Sequence, residues 1–190
     1  MKNRKRIIIL GLIVSLLLAP GAAAADYSDV APSAWYYSDV TACADLGIVT
    51  GYDGKFNPED PVTGVQFISM LTRTFYADRL AQVSTPAGQP WYYPNLAVAE
   101  ELGLDSGSVA FDNTPMNRYD MARTLYNILG SSGKLIESGD SRITDAIDSI
   151  PDYSKIPANR IAAVRQCYAL GILTGMEGGN FNGDASMTRA

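Results

Sequence analysis

Arg118 directly follows Asn117 in Asn117-Arg118-Tyr119-Asp120, a stretch with the form of a helix start. A guanidinium there can offer its planar fork to a carboxylate, beside early backbone N–H groups that also favour an anion. The competing use is an ion pair with Asp120 or another surface acid. Trp35 and Trp91, each followed by two tyrosines, suggest a second chemistry. Indole faces stack on sugar rings while neighbouring phenols reach sugar oxygens. The competing role, favoured on area alone, is burial in the core of a small module.

Other chemistries are closed or unsupported. Histidine is absent, which removes the commonest general base and zinc ligand and the usual partner of a nucleophilic Ser or Cys. The two cysteines, Cys43 and Cys167, are too far apart for a CxxC metal site. The 20 acidic residues leave a two-carboxylate glycosidase formally open, but nothing places a pair. The Asp53-Gly54-Lys55-Phe56 and Phe111-Asp112-Asn113-Thr114 loops lack the alternating oxygen donors of an EF-hand. No catalytic residue, metal ligand or cofactor is assigned, and the chain is expected not to be an enzyme.

The elements that carry these residues recur. Gly47-Ile48-Val49-Thr50-Gly51, Gly103-Leu104-Asp105-Ser106-Gly107 and Gly171-Ile172-Leu173-Thr174-Gly175 share one pattern, each preceded by Leu and followed by Phe56, Phe111 or Phe181. Trp35 and Trp91 each lie 12 residues before the first glycine of their copy. The third copy has no tryptophan and carries extra residues before its helix, giving a pitch of 68 instead of 56.

Every copy is expected to form helix, loop, helix. Gly47, Gly103 and Gly171 suit left-handed helix caps, and Pro157 suits a first helical turn. Gly51, Gly107 and Gly175 suit close approach of another chain segment or a sugar. Asp53-Gly54, Asn57-Pro58 and Asp60-Pro61 forbid helix across the first loop. Thr63-x-x-Gln66 has the form of a capping box, and Asn117-x-x-Asp120 follows the same logic. Ile68, Leu71 and Phe75, like Met121, Leu125 and Leu129, are spaced to share one buried face. Cys43, Ala99 and Cys167 occupy one position that demands a small side chain. A pair of buried thiols is favoured over a disulfide formed around a central axis.

At the amino end, Lys2, Arg4, Lys5 and Arg6 precede an apolar run from Ile7 to Ala19 and the small residues Ala23-Ala24-Ala25, the layout of a secretory signal peptide over residues 1–25. The run is too short to span a bilayer, and no later stretch does so. Without the leader, 11 basic residues face 20 acidic ones, a net charge of −9 that repels nucleic acid.

These ordered motifs resemble the S-layer homology, or SLH, family. The first copy carries Tyr27-Ser28-Asp29-Val30, Trp35, Leu46-Gly47-Ile48-Val49-Thr50-Gly51, Asp53-Gly54-Lys55-Phe56-Asn57-Pro58 and Val62-Thr63-Gly64-Val65-Gln66-Phe67, matching the family's F-x-D-V, Trp, L-G-I-x-x-G, D-G-x-F-x-P and T-R-A-E elements in order. The resemblance implies an all-α fold: three helix-loop-helix repeats in a pseudo-threefold bundle, at residues 26–80, 81–136 and 137–190, the last incomplete. It also implies an exported protein of the bacterial cell wall or S-layer, binding a secondary cell-wall polysaccharide, often pyruvylated, in grooves between repeats.

In the family the Arg of T-R-A-E contacts the acidic sugar. Here Gly64 stands in that place in the first copy, while Arg118 and Arg189 keep it in the others. The implied glycan-binding set is Asp29, Trp35, Gly51, Thr63, Gln66, Trp91, Gly107, Arg118, Asp120, Gly175, Thr188 and Arg189. Thr188-Arg189-Ala190 stops where a second helix should begin, so an incomplete gene product or the amino-terminal part of a longer protein is expected, with a carboxy-terminal cargo domain left open. The alternative from another class is a calcium-dependent or protein-docking module of the envelope.

Overall fold

The structure is a computed structural model that describes residues 27–104, 109–176 and 178–190. The expected leader and Gly107 lie outside the described residues. Among these there are seven α-helices, a single 3-10 turn at Tyr153–Lys155 and no strand, as the all-α expectation requires. The helices are α1 (Tyr37–Asp45), α2 (Gly64–Phe75), α3 (Ala77–Leu80), α4 (Tyr93–Glu101), α5 (Arg118–Ser131), α6 (Ser141–Ser149) and α7 (Ile161–Ala169). None is long and apolar enough to cross a membrane.

Local chemistry accounts for most boundaries. Thr63 and Gln66 form both halves of the capping box at α2: the Thr63 side chain accepts from the Gln66 N–H, and the Gln66 side chain accepts from the Thr63 N–H at 3.1 Å. Asn117 caps α5 by accepting the Asp120 N–H at 2.9 Å, but the Asp120 carboxylate does not reach back. It pairs instead with Arg160 at 2.8 Å. Gly47, Gly103 and Gly171 close α1, α4 and α7 at φ of +69°, +65° and +67°, where a Cβ would be strained.

Two expectations need correction. Pro157 precedes α7 and heads the turn that leads into it, its carbonyl accepting from the Arg160 N–H; the proline inside a first helical turn is Pro94 of α4. Phe75 is half-exposed, so the buried stripe of α2 ends at Leu71 and Thr72. The buried hydroxyls of that stripe are satisfied locally. Ser69 donates to the Val65 carbonyl, and Thr72 donates to that of Ile68 and meets Asn95 Oδ1 of α4 at 2.8 Å.

In the main core α4 packs on α2, α7 on α5, and α6 on α7. Ile68, Leu104, Met121, Val164, Cys167 and Phe181 are all but fully buried there. A smaller cluster under α1 gathers Val30, Val40, Val49 and Phe56. Full burial of one such side chain contributes roughly 1.5–3 kcal/mol. Cys43 borders the smaller cluster and Cys167 sits in the larger, and both thiols are free. No disulfide joins them.

What lies at the centre is a ring of backbone. Pro61 bridges to Thr188, Thr63 to Pro115, and Asn117 to Ser186. Each of the stretches 61–63, 115–117 and 186–188 pairs through its first residue with one neighbour and through its third with the other, so the three bridges close a ring.

Candidate functional site

Two loops are assembled from the same parts. Asp29 accepts the N–H groups of Phe56 and Asn57 at 2.8 and 2.7 Å, and Asp152 accepts those of Phe181 and Asn182 at 2.7 and 3.0 Å. The Phe56 N–H, with that of Asn57, holds the Asp29 carboxyl below the usual range. Burial pushes Asp152 up, but its backbone donors and the Lys155 charge together outweigh this and the net shift is downward. Each carboxylate thereby fixes a fully buried phenylalanine followed by an asparagine at positive φ, Asn57 at 56° and Asn182 at 50°.

A guanidinium closes each loop from the opposite side. Arg118 donates from Nε to the Phe181 carbonyl at 2.7 Å and from Nη2 to the Thr174 carbonyl. Arg189 donates from Nε to the Phe56 carbonyl at 2.8 Å and from Nη2 to the Thr50 carbonyl at 2.9 Å. The third equivalent, Gly64, leaves no room for a side chain, since a Cβ there would stand 2.4 Å from the Ala110 carbonyl oxygen.

The early backbone N–H groups of these starts are occupied too. Those of Gly64 and Val65 donate to Thr114 and Asp112, those of Arg118 and Tyr119 to Ala185 and Gly183, and those of Arg189 and Ala190 to Asp60 and Pro58. The expectation that such N–H groups help receive an anion is therefore corrected: neighbouring loop carbonyls already take them.

Beside Arg189 lies a cavity of about 430 Å³, formed by the first loop, α2 and Trp91, which precedes α4. Thr50, Gly51, Gln66, Arg73, Trp91 and Arg189 are among its lining residues. Arg73 and Arg189 are partly buried, and burial pushes both guanidiniums down, though an arginine remains charged. The ion pairs among the described residues are Arg79–Glu101, Arg142–Asp140 and Arg160–Asp120, so neither cavity arginine is paired with a carboxylate. Among the described residues, Asp60 is the one acid in the lining.

Trp91 stands 57 % exposed at this cavity, braced edge-on by Tyr92 at 5.4 Å between ring centroids. Trp35 is 78 % exposed and braced in the same way by Tyr36. Neither indole belongs to the core, which corrects the role favoured on area.

The other expected residues divide by place. Gln66 and Gly51 line the cavity with Arg189 and Trp91; Asp29 and Thr63 hold its loop and helix from behind. Arg118 is 4 % exposed and pairs with backbone rather than with Asp120. Asp120, Gly175 and Trp35 do not line this cavity. Gly175 is packed against Gly179, and Gly51 against Lys55 and Tyr27, so close that a Cβ would collide with backbone in both cases. The Thr188 hydroxyl donates to the Ala190 carbonyl. Arg73, Ser69, Met70 and Tyr52 join the lining without having been expected. For Arg73 the only sequence signal was its alignment with Asn127 in the second copy.

A family model described as the S-layer homology domain matches residues 26–68 and 149–190. The intervening stretch with α4 and α5 falls outside the match. No curated protein matches the chain.

Proposed function

We propose that this S-layer-homology-domain protein, matched to that family at residues 26–68 and 149–190, binds an acidic wall glycan in the cavity between Arg189 and Trp91. S-layer homology domains anchor proteins at the bacterial cell wall, and association with the cell surface follows from the match. The finer reading is that a carboxylate-bearing sugar, such as a pyruvylated one, meets Arg189 while its ring lies against Trp91. The middle stretch acts as a further repeat: it supplies Trp91, and its Thr63–Pro115 and Asn117–Ser186 bridges complete the ring. The role is binding without catalysis, in a protein exported by its leader.

One observation carries this reading. A partly buried guanidinium with no carboxylate partner among the described residues and an exposed, braced indole line the same 430 Å³ cavity. Partial burial of an unpaired cation is costly, and an anionic ligand offsets that cost. Gln66 and the loop backbone at Gly51 add polar groups for sugar hydroxyls.

Co-sedimentation of the purified chain with isolated cell wall, before and after mild acid removal of ketal-linked pyruvate, tests the proposal. Binding to native wall that falls at least tenfold on stripping, and falls likewise with Arg189→Ala, is expected. Equal binding to both walls by wild type would sink the acidic-glycan reading, and no binding at low salt would sink anchoring through this cavity.

A further inference from the structure

We propose that Arg73 is a specificity-determining residue of the same cavity, a second cation backed by the Trp91 indole that selects acidic over neutral wall glycan. This rests on the glycan-binding reading above and adds to it a residue from a different element. Arg73 stands in the last turn of α2, where a cation is favoured by the helix carbonyl end. That preference does not explain its course. The side chain crosses to the first loop, where Nη1 donates to the Ile48 carbonyl at 3.3 Å, and its guanidinium carbon lies 5.6 Å from the centre of the Trp91 ring.

The equivalent residue on α5 separates the structural duty from the rest. Asn127 occupies the Arg73 position, and its Nδ2 donates to the Leu104 carbonyl at 3.1 Å, the counterpart of Ile48. A neutral amide there serves as the donor to the equivalent loop carbonyl. What Arg73 adds is a charge, further donors and a planar face over Trp91, all on the wall of the cavity that Arg189 also lines. An arginine over an indole is held in orientation with donors still available at its edge, which suits a carboxylate better than a neutral hydroxyl.

The test is Arg73→Asn, which keeps a side chain able to reach the loop carbonyl, measured beside wild type, Arg73→Lys and Arg189→Ala. The probes are native wall glycan and the same glycan stripped of pyruvate, over a salt series, with thermal melts as the control for folding. Arg73→Asn is expected to melt with wild type and to bind native glycan about tenfold more weakly, with a shallower salt dependence. Its affinity for stripped glycan should be almost unchanged. Arg73→Lys should restore the salt dependence but only part of the affinity. Native binding by Arg73→Asn, with Arg189→Ala impaired, would overturn the role of Arg73 and leave the cavity reading standing. Equal weakening on both glycans would overturn selection for acid. Failure of wild type to bind either glycan would remove the cavity reading and this inference together.

Discussion

Arg118 uses Phe181 twice: Nε donates to the carbonyl at 2.7 Å while the guanidinium carbon lies 4.7 Å from the centre of the same residue's ring. Arg189 repeats the arrangement on Phe56, at 2.8 and 4.5 Å. Arg118 thereby ties the start of α5, and Arg189 the end stretch 186–190, to a loop distant in sequence, across 63 residues in one case and 133 in the other. The difference between them is access. Arg118 is 4 % exposed, whereas Arg189 lines the open cavity.

Arg118→Ala should therefore act on stability. It leaves the Phe181 and Thr174 carbonyls without their charged donor and opens a void over the Phe181 ring, at a cost of about 2–4 kcal/mol. Urea denaturation is the measurement. The drop should appear without any wall glycan present, and an unchanged midpoint would refute the structural role.

Asp29 and Asp152 predict an acid-side loss of stability. Both carboxyls are lowered in the folded protein, so the folded state binds fewer protons than the unfolded chain near the ordinary value of 3.8. Their contribution is complete above that value and disappears as pH falls through the lower folded values. Asp29→Asn with Asp152→Asn should lower stability at pH 7 and flatten its decline below pH 4, as followed by thermal melts across pH. A decline as steep as that of wild type would assign acid sensitivity elsewhere.

Gly64→Arg restores the residue found at the equivalent positions 118 and 189, yet it should destabilise the protein. The Ala110 carbonyl and the Phe111 backbone stand 2.4 and 3.0 Å from the place of its Cβ, and neither is a movable side-chain tip. A cost of about 2 kcal/mol or more is expected from the backbone displacement. A variant that melted at or above the wild-type temperature would show that this loop yields.

The sequence disclosed features encoded within a few residues: the Thr63–Gln66 box, the Asn117 cap, the glycine stops and the all-α pattern. It disclosed less wherever distant segments decide. The aromatic character of Trp35 and Trp91 suggested burial because area alone favours it, but the fold leaves both indoles more than half exposed. Arg118 invited a ligand or an Asp120 pair because the Phe181 carbonyl that claims it lies 63 residues away in the chain. Arg73 passed unnoticed for the same reason. Its meaning depends on Ile48 and Trp91, which only the fold brings to it.

The two cysteines, aligned in sequence, should differ in reactivity. Cys167 is fully buried, its Sγ lies 3.6 Å from the Ala122 carbonyl, and burial pushes its thiol up to about 12, which leaves almost no thiolate at neutral pH. Cys43 is partly exposed at the edge of the smaller cluster. Titration of the native protein with an aromatic disulfide at pH 8 should modify Cys43 alone, and Cys167 should react only after denaturant is added. Reductant should change neither the mass nor the melting temperature, because each thiol belongs to a separate cluster. Modification of both thiols at one rate in the folded protein would contradict the packing of α7 on α5, and a reductant-sensitive melt would contradict the separation of the two sulfurs.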